Sequence, residues 1–237
     1  MTRSSAALAV FVKTPGLSPI KTRLAEGLGR DRADEFFHLS LAAVEATMVA
    51  VAVSDDICPY WAVAEEVGLA DPRWRRFPRL YQGSAGLGER LGNVFAALQG
   101  RHDAVVAIGA DSPQITPDNI QEAFRYLQQD YNHAAHALGR CHDGGFYLVG
   151  TNHSLSAETW RDVPYSTSAA ANRLVANLAA HGKVHELAQL SDVDQVDDLA
   201  AIQDELIAVR NPSPEQRAVL QWVVATLSAI GRNGSSA

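Results

Sequence analysis

The chain predicts an α/β fold, one domain with a mostly parallel central sheet flanked by helices. Three observations predict it. Continuous apolar runs at residues 6–12 and 104–108 have the pattern of strands buried on both faces. Between the strand-like runs, apolar residues recur at spacings of three and four, the stripe of a helix packed on one side. Strand and helix patterns then alternate along the chain, as they do where crossover helices join parallel strands.

Residues 6–12 read as the first strand and lead into a Pro/Gly loop. Phe37, Leu41, Val44, Met48 and Val51 form a helical stripe, and 57–64 read as a second strand. Leu87, Leu91, Val94 and Leu98 form another stripe ahead of the strand at 104–109. Thr116-Pro117 supplies an N-cap and a first-turn proline for a helix to about Gln129. Residues 134–138 and 145–150 read as strands, close enough to add an antiparallel pair. A helix near 168–180 is expected to end at Gly182 as a helix-terminating glycine, before a short strand at 184–187. Val196, Leu199, Ile202 and Leu206 mark a helix. Ser213-Pro214 opens the last one, with Leu220, Val223, Val224 and Leu227 as its expected buried face. No repeat or linker divides residues 1–230, and the small, polar 231–237 are expected to be a disordered tail.

The 237 residues are 47% hydrophobic and 20% charged, enough for a sizeable core. The net charge of −7 argues against a nonspecific nucleic-acid binder. Basic residues still cluster, at Lys13, Lys21 and Arg23 and at Arg73, Arg75 and Arg76, which suits a small anionic ligand. Cys58 and Cys141 make no disulfide framework and no zinc spacing, and Cys141 reads as a buried, inert thiol. Residues 6–12 are too short for a signal-peptide core, and no stretch is expected to span a bilayer, so the expected location is cytoplasmic. The oligomeric state is not legible.

Five segments carry chemistry. Gly109-Ala110-Asp111-Ser112-Pro113 follows a buried strand, and ligands bind at the carboxyl ends of such strands. Asp111 there either starts a turn or holds a divalent cation, since Mg²⁺ is typically held by one or two carboxylates plus substrate phosphates. Lys13 to Leu24 places a Gly/Pro loop, then Lys21, Thr22 and Arg23, at the start of a helix. That is either a solvated basic loop or a grip on a diphosphate through backbone N–H groups and cations. Its glycine spacing is not that of a Walker loop. Gln82 to Leu91 carries three glycines ahead of a helix, which allows close backbone approach to a ligand or a plain flexible loop. Asp143-Gly144-Gly145 before an apolar run reads as hairpin chemistry or as a site. His142 beside Asp143 is the one histidine that draws notice, since the histidines show no metal-ligand spacing. Ser191 to Leu199 is acid-rich ahead of a helix. Capping explains one or two of its carboxylates, but Asp192 and Asp194 flank Val193 and on an extended segment point the same way.

Taken in order, K-x-P…K-T-R-L (Lys13 to Leu24), L-G-x-R (Leu87 to Arg90), G-x-D-x-P (Gly109 to Pro113), D-G-G-F-Y-L-V-G (Asp143 to Gly150) and D-V-D-x-x-x-D-L (Asp192 to Leu199) resemble a bacterial glycosyltransferase family. Its fold is that of the nucleotide-diphospho-sugar transferases (GT-A, Rossmann-like), and its members are sometimes associated with arsenosugar biosynthesis. The resemblance covers roughly residues 6–200. It differs at Ser18, where glycine is usual, at Gly139-Arg140, where a Gly-Pro pair is usual, and at Gln195 within the last segment. The same fold holds guanylyltransferases. The resemblance implies that Lys21 and Arg23 grip the nucleotide diphosphate, with Lys13 and Thr22 beside them. It implies that Gly86, Leu87, Gly88 and Arg90 lie along the nucleotide. Asp111 would be the metal-ligating, catalytic carboxylate and Asp194 a second metal ligand, for Mg²⁺ or Mn²⁺. Asp143, Gly144 and Gly145 would face the sugar or acceptor, with Asp143 the candidate base of an inverting reaction.

The expected function is therefore a metal-dependent glycosyltransferase with a nucleotide-sugar donor and an unknown acceptor. A nucleotidyltransferase acting on a nucleoside triphosphate, and a non-catalytic nucleotide-binding module, are the alternatives. Close approach of Asp111 and Asp194, within reach of one ion, is expected.

Overall fold

A computed structural model of the chain describes residues 4–54, 56–129 and 131–234. Among them, β1 (Ser4–Val12), β2 (Ile57–Val63), β3 (Arg79–Tyr81), β4 (His102–Gly109), β5 (Ala135–Arg140), β6 (Phe146–Thr151) and β7 (Lys183–Glu186) form one sheet in the order β3-β2-β1-β4-β6-β5-β7. β6 runs antiparallel to β4 and β5, and the other pairs are parallel. The α/β expectation holds, with its antiparallel element in the expected place.

The apolar runs have a direct cause. Leu8, Val10, Val106 and Ile108 point into one core, and Ala7, Ala9, Val105 and Ala107 into another. The first core lies beneath α2 (Arg30–Ser54) and α4 (Pro117–Leu127), and the second beneath α3 (Leu87–Gln99), α5 (Ala157–Arg161) and α6 (Ala170–Ala179). A third layer, α7 (Asp198–Ala208) and α8 (Pro214–Gly234), packs on the outside of α1 (Thr22–Leu28) and α2.

α2 corrects one expectation. By length and composition Arg30–Val53 is apolar enough to cross a bilayer. Packing accounts for this: Phe37, Leu41, Val44, Met48 and Val51 join the sheet-facing core, and Ala33, Phe36 and Ala43 join the core under α7 and α8. A helix covered on two sides needs two apolar stripes.

Caps behave as the sequence implies. Thr116 Oγ1 accepts from the Asn119 N–H, and the Thr116 N–H donates to Asn119 Oδ1, a reciprocal box that starts α4. Ser213 and Gln216 do the same for α8. That helix buries Val219, Trp222, Val223 and Thr226 and leaves Val224 exposed, because the face is set by Trp222 packing on Phe36. α8 continues through Gly234, so 231–234 are helical, and 235–237 lie outside the described residues. Gly182 does not terminate a helix in the left-handed conformation. A Cβ there would lie 2.1 Å from the Ala134 carbonyl oxygen, so glycine is required by close approach ahead of β7.

His136, on β5, is fully buried. Its Nδ1 lies 3.0 Å from Thr151 Oγ1, and its Nε2 has no partner. Burial, and then His181 and His153, push it down from 6.5 to about 4. Above pH 6.5 the ring is neutral folded and unfolded, and the full stability is present. As the pH falls towards 4 the unfolded chain takes up a proton that the fold refuses, and about 2–3 kcal/mol is lost. Urea melts at pH 7 and pH 4.5 should show this loss in the wild type and a smaller one in His136→Leu. Equal losses in both would remove His136 as the cause.

Candidate functional site

The chain leaves β1 towards β2 on one side and leaves β4 through α4 towards β5 on the other. A crevice therefore opens at the carboxyl ends of β1 and β4, the place where open α/β sheets bind ligands. A cleft of about 780 Å³ lies there.

Lys21 is the most constrained residue in it. It sits at the N-cap of α1 with φ 47° and ψ 42°, a left-handed conformation rare for a residue with a side chain. Its side chain is only 6% exposed. Nζ donates to Asp111 Oδ1 at 2.5 Å and to the Val193 carbonyl at 2.5 Å, and lies 5.9 Å from the centre of the Phe36 ring. The backbone is bent so that one buried ammonium joins the end of β4 to the acid-rich segment before α7. The Val193 N–H donates to the Asp111 carbonyl at 3.4 Å and closes the same junction. Because α1 is short, the cations rather than its dipole supply the positive field.

Carboxylates gather beside Lys21. Asp143 and Asp192 bring carboxylate oxygens, and Cys141 its Sγ, within 4.8 Å of one another. Burial first, then Asp143 and Asp111, raise Asp192 to about 6, and Lys21 opposes the shift. Burial pushes the Cys141 thiol up, in accord with the buried, inert thiol expected. The clustered carboxylate oxygens suit a hard divalent cation.

The sequence reading left Asp192 without a role, and it missed Gln114 and Glu205 altogether. Glu205, on α7, accepts from the Ser191 N–H at 3.0 and 3.1 Å and from Ser191 Oγ at 2.8 Å. Gln114 Nε2 donates to Glu205 at 2.7 Å and to the Ser191 carbonyl at 2.6 Å. This network fixes the backbone just before Asp192. The alternation about Val193 read in the sequence holds: its side chain is fully buried, and the flanking Asp192 and Asp194 both line the cleft.

Of the residues picked out in the sequence, Lys13, Lys21, Thr22, Arg23, Leu87, Arg90, Asp111, Asp143, Gly145 and Asp194 line this one cleft. Lys13 is exposed at its edge. Arg23 and Asp194 pair with each other at 2.6 Å, both well exposed. Arg90 Nε donates to the Ala85 carbonyl at 2.7 Å. Gly86, Gly88 and Gly144 are not among the lining residues. Gly86 caps α3, and a Cβ at Gly88 would lie 2.4 Å from the Trp160 carbonyl oxygen, so that glycine serves helix packing. Asp143-Gly144-Gly145 is turn and site together. The Gly145 N–H donates to Asp143 Oδ1 at 2.7 Å, Gly144 has φ 92°, and a Cβ there would lie 2.2 Å from the Ser168 carbonyl oxygen.

The fold has known counterparts. A structure described as a "putative nucleotide-diphospho-sugar transferase", from Desulfovibrio desulfuricans G20, superposes with a TM-score of 0.80 at 22% identity, covering 98% of each chain. The bifunctional IspDF of Campylobacter jejuni superposes with a TM-score of 0.51 at 8% identity, over 83% of this chain and 54% of that one. At these identities the likeness establishes a shared fold. Comparison with curated proteins finds no match. Residues 40–167 match the profile of a family described as "Uncharacterized protein conserved in bacteria (DUF2064)".

Proposed function

The chain belongs to the DUF2064 family, and from that premise we propose that it is a metal-dependent glycosyltransferase using a nucleotide-diphospho-sugar. One observation carries the reading. At the switch point of the sheet, Lys21 and Arg23 and the carboxylates of Asp111, Asp143, Asp192 and Asp194 line one cleft, with Lys21 paired to Asp111 and Arg23 to Asp194. Cations beside a carboxylate cluster suit a metal–diphosphate, whose charge each side meets in part. The fold shared with the D. desulfuricans structure, and that structure's description, agree with the reading.

In this reading Lys21, Arg23 and Lys13 contact the phosphates, and Leu87 and Arg90 flank the nucleoside. Asp111 would hold the ion, with Asp192 adding an oxygen. Asp194 joins when Arg23 turns from it to phosphate, an exchange that costs little because an exposed pair is worth only about 0–1 kcal/mol. A Mg²⁺ or Mn²⁺ ion held there would supply Lewis acidity to the departing diphosphate. The bond from the anomeric carbon to the diphosphate oxygen breaks, and its electron pair stays on that oxygen. A bond forms from an acceptor hydroxyl oxygen to the anomeric carbon. In an inverting course the hydroxyl proton passes to Asp143, which the Gly145 N–H holds in place. The proposed setting is the bacterial cytoplasm, and the arsenosugar association implied by the resemblance belongs to this reading.

A thermal-shift panel of nucleoside diphosphates, triphosphates and nucleotide-sugars with Mg²⁺ or Mn²⁺ tests the reading, since a ligand of the folded state raises the melting temperature. Pyrophosphate released from a triphosphate would move the assignment to nucleotidyl transfer, and no shift with any nucleotide would end it. Arg23→Ala should weaken nucleotide binding by about 1.5–3 kcal/mol, the scale of a charge-assisted hydrogen bond. The fold should lose less than about 1 kcal/mol, because the Arg23–Asp194 pair is exposed. Calorimetric titration measures the first and urea melts the second. Unchanged nucleotide affinity would return the loop to solvent.

A further inference from the structure

The cleft has a second wall, lined by Phe146, Tyr165, Ser166, Thr167 and Ser168. None of these residues is charged. The four cations that line the cleft, Lys13, Lys21, Arg23 and Arg90, come from the segment between β1 and α1, from α1 and from α3.

The wall is built, not loose. Phe146 meets the Tyr165 ring edge-on, with centroids 6.3 Å apart. The Tyr165 hydroxyl donates to the Trp160 carbonyl at 2.7 Å, and burial pushes the phenol up, so it stays neutral. Ser166 has φ 61°, a left-handed conformation held without glycine. Thr167 Oγ1 donates to the Pro164 carbonyl at 2.7 Å and accepts from the Ala169 N–H at 3.3 Å. The Ala171 N–H donates to the Gly144 carbonyl at 2.9 Å. The loop is therefore packed onto the very turn that presents Asp143. The Ser166 and Ser168 side chains are exposed.

We propose that this wall binds the acceptor, and that the acceptor is an uncharged, hydroxyl-bearing molecule with an apolar face, of the chemical class of a glycoside, and not a phosphorylated one. The proposal rests on the transferase reading. Aromatic rings offer large apolar faces for the C–H side of such a molecule. Serine hydroxyls both donate and accept, as its hydroxyls do. A phosphate on this wall would lose water without gaining a cation from the wall residues themselves and would sit near Asp143 and Asp192, which disfavours it.

Saturation-transfer NMR with the full chain tests the proposal, using 4-nitrophenyl β-D-glucopyranoside and α-D-glucose 1-phosphate as probes. The glycoside should bind, and glucose 1-phosphate should fail to displace it. Phe146→Ala should weaken the glycoside at least about fivefold with the nucleoside diphosphate response unchanged, which also shows that the variant is folded. Ser168→Arg places a cation on the wall at an exposed position and should make glucose 1-phosphate compete at least about tenfold better. Glucose 1-phosphate displacing the glycoside from the wild type, or full glycoside affinity in Phe146→Ala, overturns the proposal. A nucleotide response without glycoside binding overturns the wall alone. Glycoside binding without any nucleotide response overturns the transferase reading, and the acceptor assignment with it.

Discussion

Lys21→Met should lose about 10²–10³-fold in turnover with a nucleotide-sugar, with the melting temperature nearly unchanged. Lys21 carries a buried ammonium in the cleft and links Asp111 to Val193. Methionine matches the stem and removes the charge. Asp111, 56% exposed, stays hydrated when its partner goes, so the fold survives. Lys21→Gly separates charge from backbone. It loses the same activity but relieves the left-handed φ of 47°, and should be at least as stable as Lys21→Met. Steady-state kinetics beside thermal melts of both variants check this. Undiminished turnover in Lys21→Met would show that the bent backbone serves the fold alone.

Asp111→Asn should fold normally and lose metal-dependent turnover by at least about 10²-fold. An amide keeps the shape and one acceptor oxygen but lacks the charge that favours a hard cation. It serves a turn as well as aspartate, so the turn reading predicts near neutrality from the same change. Asp192→Asn should behave differently. Asp192 titrates near 6 in the fold against 3.8 unperturbed. A raised carboxyl leaves the fold unpenalised below pH 3.8 and destabilises it increasingly as the pH rises through 6. Removing that charge should therefore stabilise the metal-free protein by about 2–3 kcal/mol at pH 8 and change little at pH 3.5, while weakening metal binding. Titration of Mn²⁺ into both variants, with urea melts at the two pH values, measures these effects. Mn²⁺-dependent turnover persisting in Asp111→Asn would defeat the metal assignment. No gain for Asp192→Asn at pH 8 would show that Asp192 is relieved some other way.

How much the chain disclosed depended on whether a signal was local. β1 and β4 were legible because strands buried on both faces need unbroken apolar runs, as Leu8 and Ala9, or Val106 and Ala107, show by entering opposite cores. The start of α4 was legible because Thr116, Pro117 and Asn119 form their cap within four residues. β3 and α5 were not, because three and five residues are too short to carry a period. Val224 was misread because its neighbours in sequence matched a stripe, while Trp222 against Phe36 set the buried face. Gly182 was misread because a helix stop and a close approach both call for glycine, and only the Ala134 carbonyl nearby tells them apart.

The site divides in the same way. The sequence by itself made the α/β architecture legible and singled out Lys21, Arg23, Asp111, Asp143 and Asp194, all of which line the cleft, from short segments next to a strand end or a helix start together with the family resemblance. Only the tertiary structure decided that Lys21 is buried and bent to join Asp111 with Val193, that Asp192 is buried beside Asp143 and Asp111 after a Ser191 backbone held by Glu205 and Gln114, and that Phe146 and Tyr165 make an uncharged second wall. The physical reason is that burial, charge crowding and wall shape are properties of segments brought together by folding. Lys21 and Val193 stand 172 residues apart, and no local pattern carries a contact made only when the sheet has formed.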